Sequence, residues 1–149
     1  MAANHPIIAG NDAARERLRA VVGGLSDEDL ARPLGDGWTV AAALAHLAFW
    51  DRRTLGLLAH WRQQRTGDLA RLSPTDVDML NDALCAEWLA LPPREAALLA
   101  LDAAAAVDRA LATLPPAELD ALASPEIPIR LDRAHHRNAH LDEIEQALR

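Results

Sequence analysis

The sequence predicts an all-α protein, a four-helix bundle with a proline-broken third helix region, and three observations carry that expectation. Leucine, alanine, arginine and glutamate, all good helix formers, dominate a chain that is half hydrophobic. No stretch alternates apolar and polar residues long enough to suggest a strand. Glycine and proline fall in a few clusters that divide the chain into long periodic segments. At 149 residues it is read as a single domain spanning 1–149, large enough for a proper core.

"GND" opens a first helix near Asn11, with Leu18, Val21, Val22 and Leu25 along one side, and "VVGGLS" ends it. "SDED" at Ser26 has the pattern of a capping box, which predicts a short helical turn before "RPLGDGW". The second helix starts after Thr39, a suitable N-cap, and runs to about Arg65. Its inner stripe is Val40, Ala43, Leu44, Leu47, Trp50, Thr54, Leu58 and Trp61. "TGDLARLSPTD" is a loop. A third helix runs from about Thr75 to Leu91, where Pro92-Pro93 break or kink it, and continues from Arg94 to Leu114. Pro115-Pro116 ends it, "ASPEIPIRLD" is a crossover, and the last helix runs from about Leu131 to Leu148.

A net charge of −7 argues against a nucleic-acid surface, which is normally basic. One cysteine, Cys85, cannot form an internal disulfide and reads as a small buried residue. The N-terminus lacks the pattern of a signal peptide, and the longest uncharged stretch, Gly37 to Trp50, is too short for a bilayer and contains His46. The expectation is a cytoplasmic protein with no membrane and no nucleic acid among its partners; a helix face of such a bundle also suits a homodimer.

Chemistry concentrates in the histidines. His136 and His140 are four residues apart and share a helix face, while His135 is rotated about 100° away and reads as exposed. An i,i+4 pair can bring two imidazole nitrogens to one metal ion. The apolar stripe Ala134, Leu141, Ile144 and Leu148 lies beside that pair, a placement that suits either an interior site or a solvated flank. His46 lies among alanine, leucine and aromatics, and a buried ring must find partners, because an unpaired polar group costs about 1–3 kcal/mol. A neighbour satisfies it, or a metal shared with the other two. Three neutral imidazoles on two helices would leave coordination positions open, the arrangement of a catalytic site. Asp51 and Glu143 are the carboxylates near enough in sequence to orient a ligand histidine or accept a proton, and Glu143, three residues past His140, is the candidate catalytic residue. Trp50 either walls the site or packs in the core, and Trp38 anchors the helix start. His5 and His60 read as surface histidines.

These motifs resemble a family. "DGWTVAAALAHLAFWD" is similar to the hallmark of the DinB/YfiT-like superfamily, in which a Trp-Thr-Val opening leads to His-Leu and then Trp-Asp or Trp-Glu. "HHRNAHLDEI" is similar to its second hallmark, His-x-x-x-His, and "DVDMLNDAL" resembles the asparagine-containing start of its third helix. The mycothiol-dependent maleylpyruvate isomerase N-terminal domain belongs to the same group. The resemblance implies a bundle of the DinB/YfiT-like type holding a divalent metal, zinc or nickel, on His46, His136 and His140, and gives Asn81 a place in the third-helix motif. It implies an enzyme activating a low-molecular-weight thiol of the mycothiol or bacillithiol type for transfer to a small electrophile. The alternatives are a metal-dependent hydrolase using bound water and a non-catalytic stress-related binding bundle. Two departures stand against the isomerase reaction itself: Leu141, Asp142 and Glu143 replace the Arg-Gly-Gln of many relatives, and with the chain ending at Arg149 no C-terminal isomerase domain is expected.

Overall fold

The computed structural model describes residues 4–64 and 69–149. Its elements are α1 (Pro6–Gly24), α2 (Asp27–Leu30), β1 (Pro33–Gly35), β2 (Trp38–Thr39), α3 (Val40–Gln64), α4 (Pro74–Ala90), α5 (Pro93–Ala112), α6 (Pro116–Leu122) and α7 (Ala134–Ala147). The fold is all-α, as expected. None of the described helices is long and apolar enough to cross a membrane.

Most helix ends obey the local chemistry of their residues. Ser26 with Asp29, and Ser73 with Asp76, form reciprocal capping boxes at α2 and α4. The Thr39 hydroxyl accepts from the Ala42 N–H at 3.1 Å and opens α3. The expected end of that helix at Arg65 lies outside the described residues.

Three boundaries differ from expectation. The first helix begins at Pro6 rather than near Asn11, because His5 is its N-cap: the ring Nδ1 accepts from the Ile7 N–H at 3.2 Å and Pro6 supplies a preset φ. His5 also pairs with Asp120 at 3.1 Å, so it joins α1 to α6. Residues 33–39 form a two-stranded antiparallel ribbon where no strand was expected; it is too short for alternation to register, and its turn rests on positive φ at Gly35, Asp36 and Gly37. Past Pro115-Pro116 the chain does not stay irregular. Pro116 starts the short helix α6, whose Leu119 and Leu122 are buried.

Pro92-Pro93 break the third region completely. Leu91 is extended (φ −66°, ψ 140°), as residues before proline prefer, and the chain reverses there. Asn81 meets Trp50 while Trp88 meets Trp38, so α4 runs antiparallel to α3. The start of α5 returns to the end of α1, with the Arg94 guanidinium donating to the Leu25 carbonyl at 3.0 Å. The four bundle helices are therefore α1, α3, α5 and α7, with α3 parallel to α5 and α4 as the outer return leg. Buried alanines at 41–43, 45 and 48 on α3, and at 96, 97, 100, 103 and 104 on α5, let those two helices approach closely. Helices α3 and α7 touch less extensively, and long polar side chains occupy the space between them.

The core has two apolar lobes. One gathers Leu18, Val22, Leu44, Leu47, Leu141 and Ile144, the other Ile8, Leu58, Val107, Leu111, Leu119 and Ile129. Between them lies a charged layer to which all four bundle helices contribute. Arg137 is 0% exposed. It donates to Asp108 through Nη1 (2.8 Å) and Nη2 (2.9 Å), to Asp51 through Nη2 (3.1 Å) and to the Asn11 carbonyl (3.1 Å). Arg133 Nε donates to Asp51 at 2.7 Å and Arg15 to Asp108 at 2.8 Å. Burial opposes charge on Arg137, and its two carboxylate partners more than offset that, holding it protonated.

The Asn11 side chain spans the layer. Its Oδ1 accepts from the N–H groups of Arg133 (2.8 Å) and Ala134 (3.0 Å), and its Nδ2 donates to the Leu131 carbonyl at 2.9 Å. Helix α7 has no capping side chain of its own at Arg133. Asn11 supplies the cap from α1.

Removing one carboxylate leaves the buried Arg137 and Arg133 to share a single aspartate. Asp108→Asn is expected to destabilise the fold by about 3–5 kcal/mol in urea denaturation. A loss below about 1 kcal/mol, the scale of an exposed pair, would contradict this account of the layer.

Candidate metal centre

His46 sits on the first half of α3, and His136 and His140 sit one turn apart on α7. Helices α3 and α7 are antiparallel, with the Arg32 side chain near the start of α3 reaching the Ala147 carbonyl at the end of α7. That alignment sets His46 level with both α7 histidines. The three ring centroids form a nearly equilateral triangle with edges of 4.7, 4.8 and 4.9 Å. The ligand nitrogens all lie within 4.8 Å of one another, and the Nε2 atoms of His46 and His136 are 2.9 Å apart.

The surroundings keep two of these rings neutral. His46 is 4% exposed and packed edge-to-face against Trp38 (5.1 Å) and Trp88 (5.2 Å). Burial first, then the positive charge His140 would carry, pushes the His46 pKa down to about 3. Burial, followed by His140 and His46, pushes His136 down to about 2. Both offer unprotonated nitrogen lone pairs at neutral pH. His140 is held from the other side: its Nδ1 lies 3.3 Å from the exposed Glu143 Oε2. An Nδ1–H donated to that carboxylate leaves the Nε2 lone pair free.

The residues present fit a divalent cation. Ligand bonds of about 2.0–2.1 Å at a tetrahedral angle place two nitrogens about 3.3 Å apart, so the His46–His136 pair needs to open by only a few tenths of an ångström. Nδ1 of His46 is buried without a hydrogen-bond partner of good geometry among the described residues, so its ring is placed by packing. His136 Nδ1 faces Arg133 Nη2 at 3.4 Å, a contact at the long limit. Arg133 is itself tied to Asp51.

The cluster opens on a cavity of roughly 1220 Å³, which reaches from the ribbon to the segment between α6 and α7. Residues 12–145 match the family of the mycothiol maleylpyruvate isomerase N-terminal domain. The chain belongs to that family. The match spans the three histidines and Glu143 and ties the chain to mycothiol-related enzymes. No curated protein and no solved structure matches the chain.

Within this family member the structure brings together His46, His136 and His140, with Glu143 touching the last. Asp51 does not face a histidine: its two oxygens accept from Arg133 and Arg137, so it reaches His136 only through Arg133. Trp50 lines the cavity rather than packing in the core: it is half-buried, belongs to neither apolar lobe, and its Nε1 donates to Asn81 Oδ1 at 3.0 Å. Asn81 thus makes an interhelix hydrogen bond. His60 and His135 are exposed, and Cys85 is half-buried and does not line the cavity. Trp88 and Arg133 were not singled out from the sequence. Arg133 carries a usable signal, since it lies one turn before Arg137 and His136.

The depressed histidines link stability to acid. Above pH 6.5, the ordinary histidine value, folded and unfolded rings are both neutral and contribute nothing. Below it the unfolded rings bind protons that the folded ones refuse, at about 1.4 kcal/mol per pH unit per histidine. Metal-free protein is therefore expected to lose about 2–3 kcal/mol between pH 6 and 5, with the loss continuing toward the folded values near 3 and 2. Urea denaturation across that range measures it. His46→Gln should remove about half the slope, and an unchanged slope would show that the burial assigned to His46 is wrong.

Proposed function

We propose that this chain is a metal-dependent enzyme that activates a low-molecular-weight thiol for transfer to a small electrophile, with His46, His136 and His140 holding a divalent cation. The observation that carries this reading is the convergence of three imidazoles, two of them held neutral by burial, at the wall of a cavity large enough for a thiol and a second reactant. An all-imidazole donor set suits zinc or nickel. When bound, such a cation supplies Lewis acidity that stabilises the anionic form of a thiol near neutral pH.

The protein's own residues do the rest. Trp38 and Trp88 exclude water from one side of His46 and hold its ring edge-on. Glu143 keeps the His140 Nε2 lone pair turned inward, which makes it a positioning residue by contact. As an exposed carboxylate on the cavity wall it also stands where a released thiol proton can pass to solvent. In the transfer the thiol S–H bond breaks and its proton leaves. The sulfur electron pair forms the new bond to the electrophile, whose displaced electrons go to its leaving group.

Elemental analysis of tag-free protein tests the reading, with His46→Ala and His136→Ala beside it, followed by a screen of mycothiol and bacillithiol against small electrophiles. About one equivalent of zinc or nickel per chain, lost in both variants, with thiol-dependent turnover, is the expected result. No metal after loading with either ion would overturn it. Metal with thiol-independent hydrolysis would replace it with the bound-water reading, and metal without any turnover would leave the non-catalytic one. Glu143→Gln is expected to weaken metal affinity about 10–100-fold.

A further inference from the structure

The two ends of the cavity carry opposite charge. At the ribbon end stand Asp36 and Glu143. At the other end, beyond the histidines, Arg53 from α3 lines the same cavity as Arg71 and Arg130, which come from the segments preceding α4 and α7. Among the described residues none of these three arginines has a carboxylate partner. The half-buried Arg53 guanidinium lies over the Trp50 ring, 5.6 Å from its centroid, and makes no hydrogen bond to the described residues. Arg71 donates to the Pro125 carbonyl at 2.6 Å, and the exposed Arg130 side chain has no partner among the described residues. Asp132 is the carboxylate at this end; its Oδ1 accepts from the His135 N–H at 3.3 Å, toward the start of α7.

This arrangement runs against the rest of the molecule. The chain has a net charge of −7, and its buried arginines are all engaged with aspartates. Leaving Arg53 part-buried beside Arg133 has a cost that shows in its acidity: burial, and then the facing Arg133, hold its pKa below the usual arginine range. Guanidinium groups placed in this way present planar donors to anionic oxygens. Apolar walls at Ile127, Pro128 and Leu131 adjoin them.

We propose that Arg53, together with Arg130, binds the carboxylate, sulfonate or phosphate of an elongated small organic anion whose other end reaches the three histidines. Seven residues separate His46 from Arg53 on α3, two helical turns or about 10 Å along the axis, which sets the length of the ligand. Which end of that ligand reacts rests on the thiol-transfer reading; the anion site itself does not.

A matched pair of fluorescent probes tests the site on the full chain: 8-anilinonaphthalene-1-sulfonate, and N-phenyl-1-naphthylamine, which lacks only the sulfonate. Arg53→Met and Arg130→Met are made singly and together, each checked by thermal melting, with the exposed Arg109→Met as control. The double variant is expected to weaken sulfonate binding about 10–100-fold, as loss of charged hydrogen bonds does, and to change the neutral probe less than about twofold. Equal loss of both probes, no loss of either, or the same loss in Arg109→Met would each overturn the proposal. Where the double variant does not fold, the single variants decide by the same comparison. His46→Ala keeps the two readings apart: retained, Arg53-dependent sulfonate binding in a variant without metal supports the anion site whatever becomes of the reaction.

Discussion

Arg137 sets the terms for the rest of the structure. A guanidinium cut off from water is tolerable only if its donors are satisfied and its charge is matched, so Asp51 from α3 and Asp108 from α5 must both reach it. Those requirements fix how far α7 can slide or rotate against its neighbours. His136 and His140 lie on the same helix, one residue before and three after that anchor. The geometry of the histidine triangle is therefore inherited from an ion-pair layer built beside it. Hydrophobic packing in the two lobes supplies the bulk of the cohesion, and the charged layer between them supplies the register.

The same layer explains why the site can be built at the thinly packed α3–α7 seam. Where α3 meets α5, alanines bring the backbones close and leave no space. Where α3 meets α7, arginine and histidine side chains keep the helices apart, and the cavity is the consequence. Arg133 joins the two regions, with Nε on Asp51 and Nη2 toward His136. A tryptophan wall on the other side of His46 then adds to the burial that keeps the ring neutral. Stability and site chemistry thus draw on the same few residues. That also places limits on them, since a change in Asp51 or Arg133 disturbs both.

Much of this was legible in the residues. Paired prolines, the Ser26 capping box and the Thr39 cap mark helix ends because each acts within a turn of its own position. The histidine triangle was legible as well, from i,i+4 spacing on α7 and the apolar setting of His46, although spacing by itself left a solvated flank open. What escaped notice depends on distant partners. The short α6 is held by Leu119 and Leu122 against a distant apolar lobe, and His5, whose capping bond is local, also meets Asp120 of that helix. Arg137 falls on the apolar stripe of α7, between Ala134 and Leu141, where its charge looks out of place until two aspartates from other helices are set beside it. The ribbon at 33–39 is too short for periodicity to reveal, though its Gly-Asp-Gly is a turn signal. The role given to Asp51 failed for the same reason: a carboxylate near a histidine in sequence was claimed by arginines from another helix.

Asn11 has an implication for the order of events during folding. Asp132 serves the His135 N–H locally, but the acceptor for the Arg133 and Ala134 N–H groups at the start of α7 lies more than 120 positions upstream. Closing that contact joins nearly the two ends of the chain, a loop whose entropic cost is met only when the intervening helices are already assembled. Two of the three histidines ride on the helix whose first turn that long closure completes. The cluster is therefore assembled with the fold as a whole: until α7 is seated, His136 and His140 have no fixed position opposite His46.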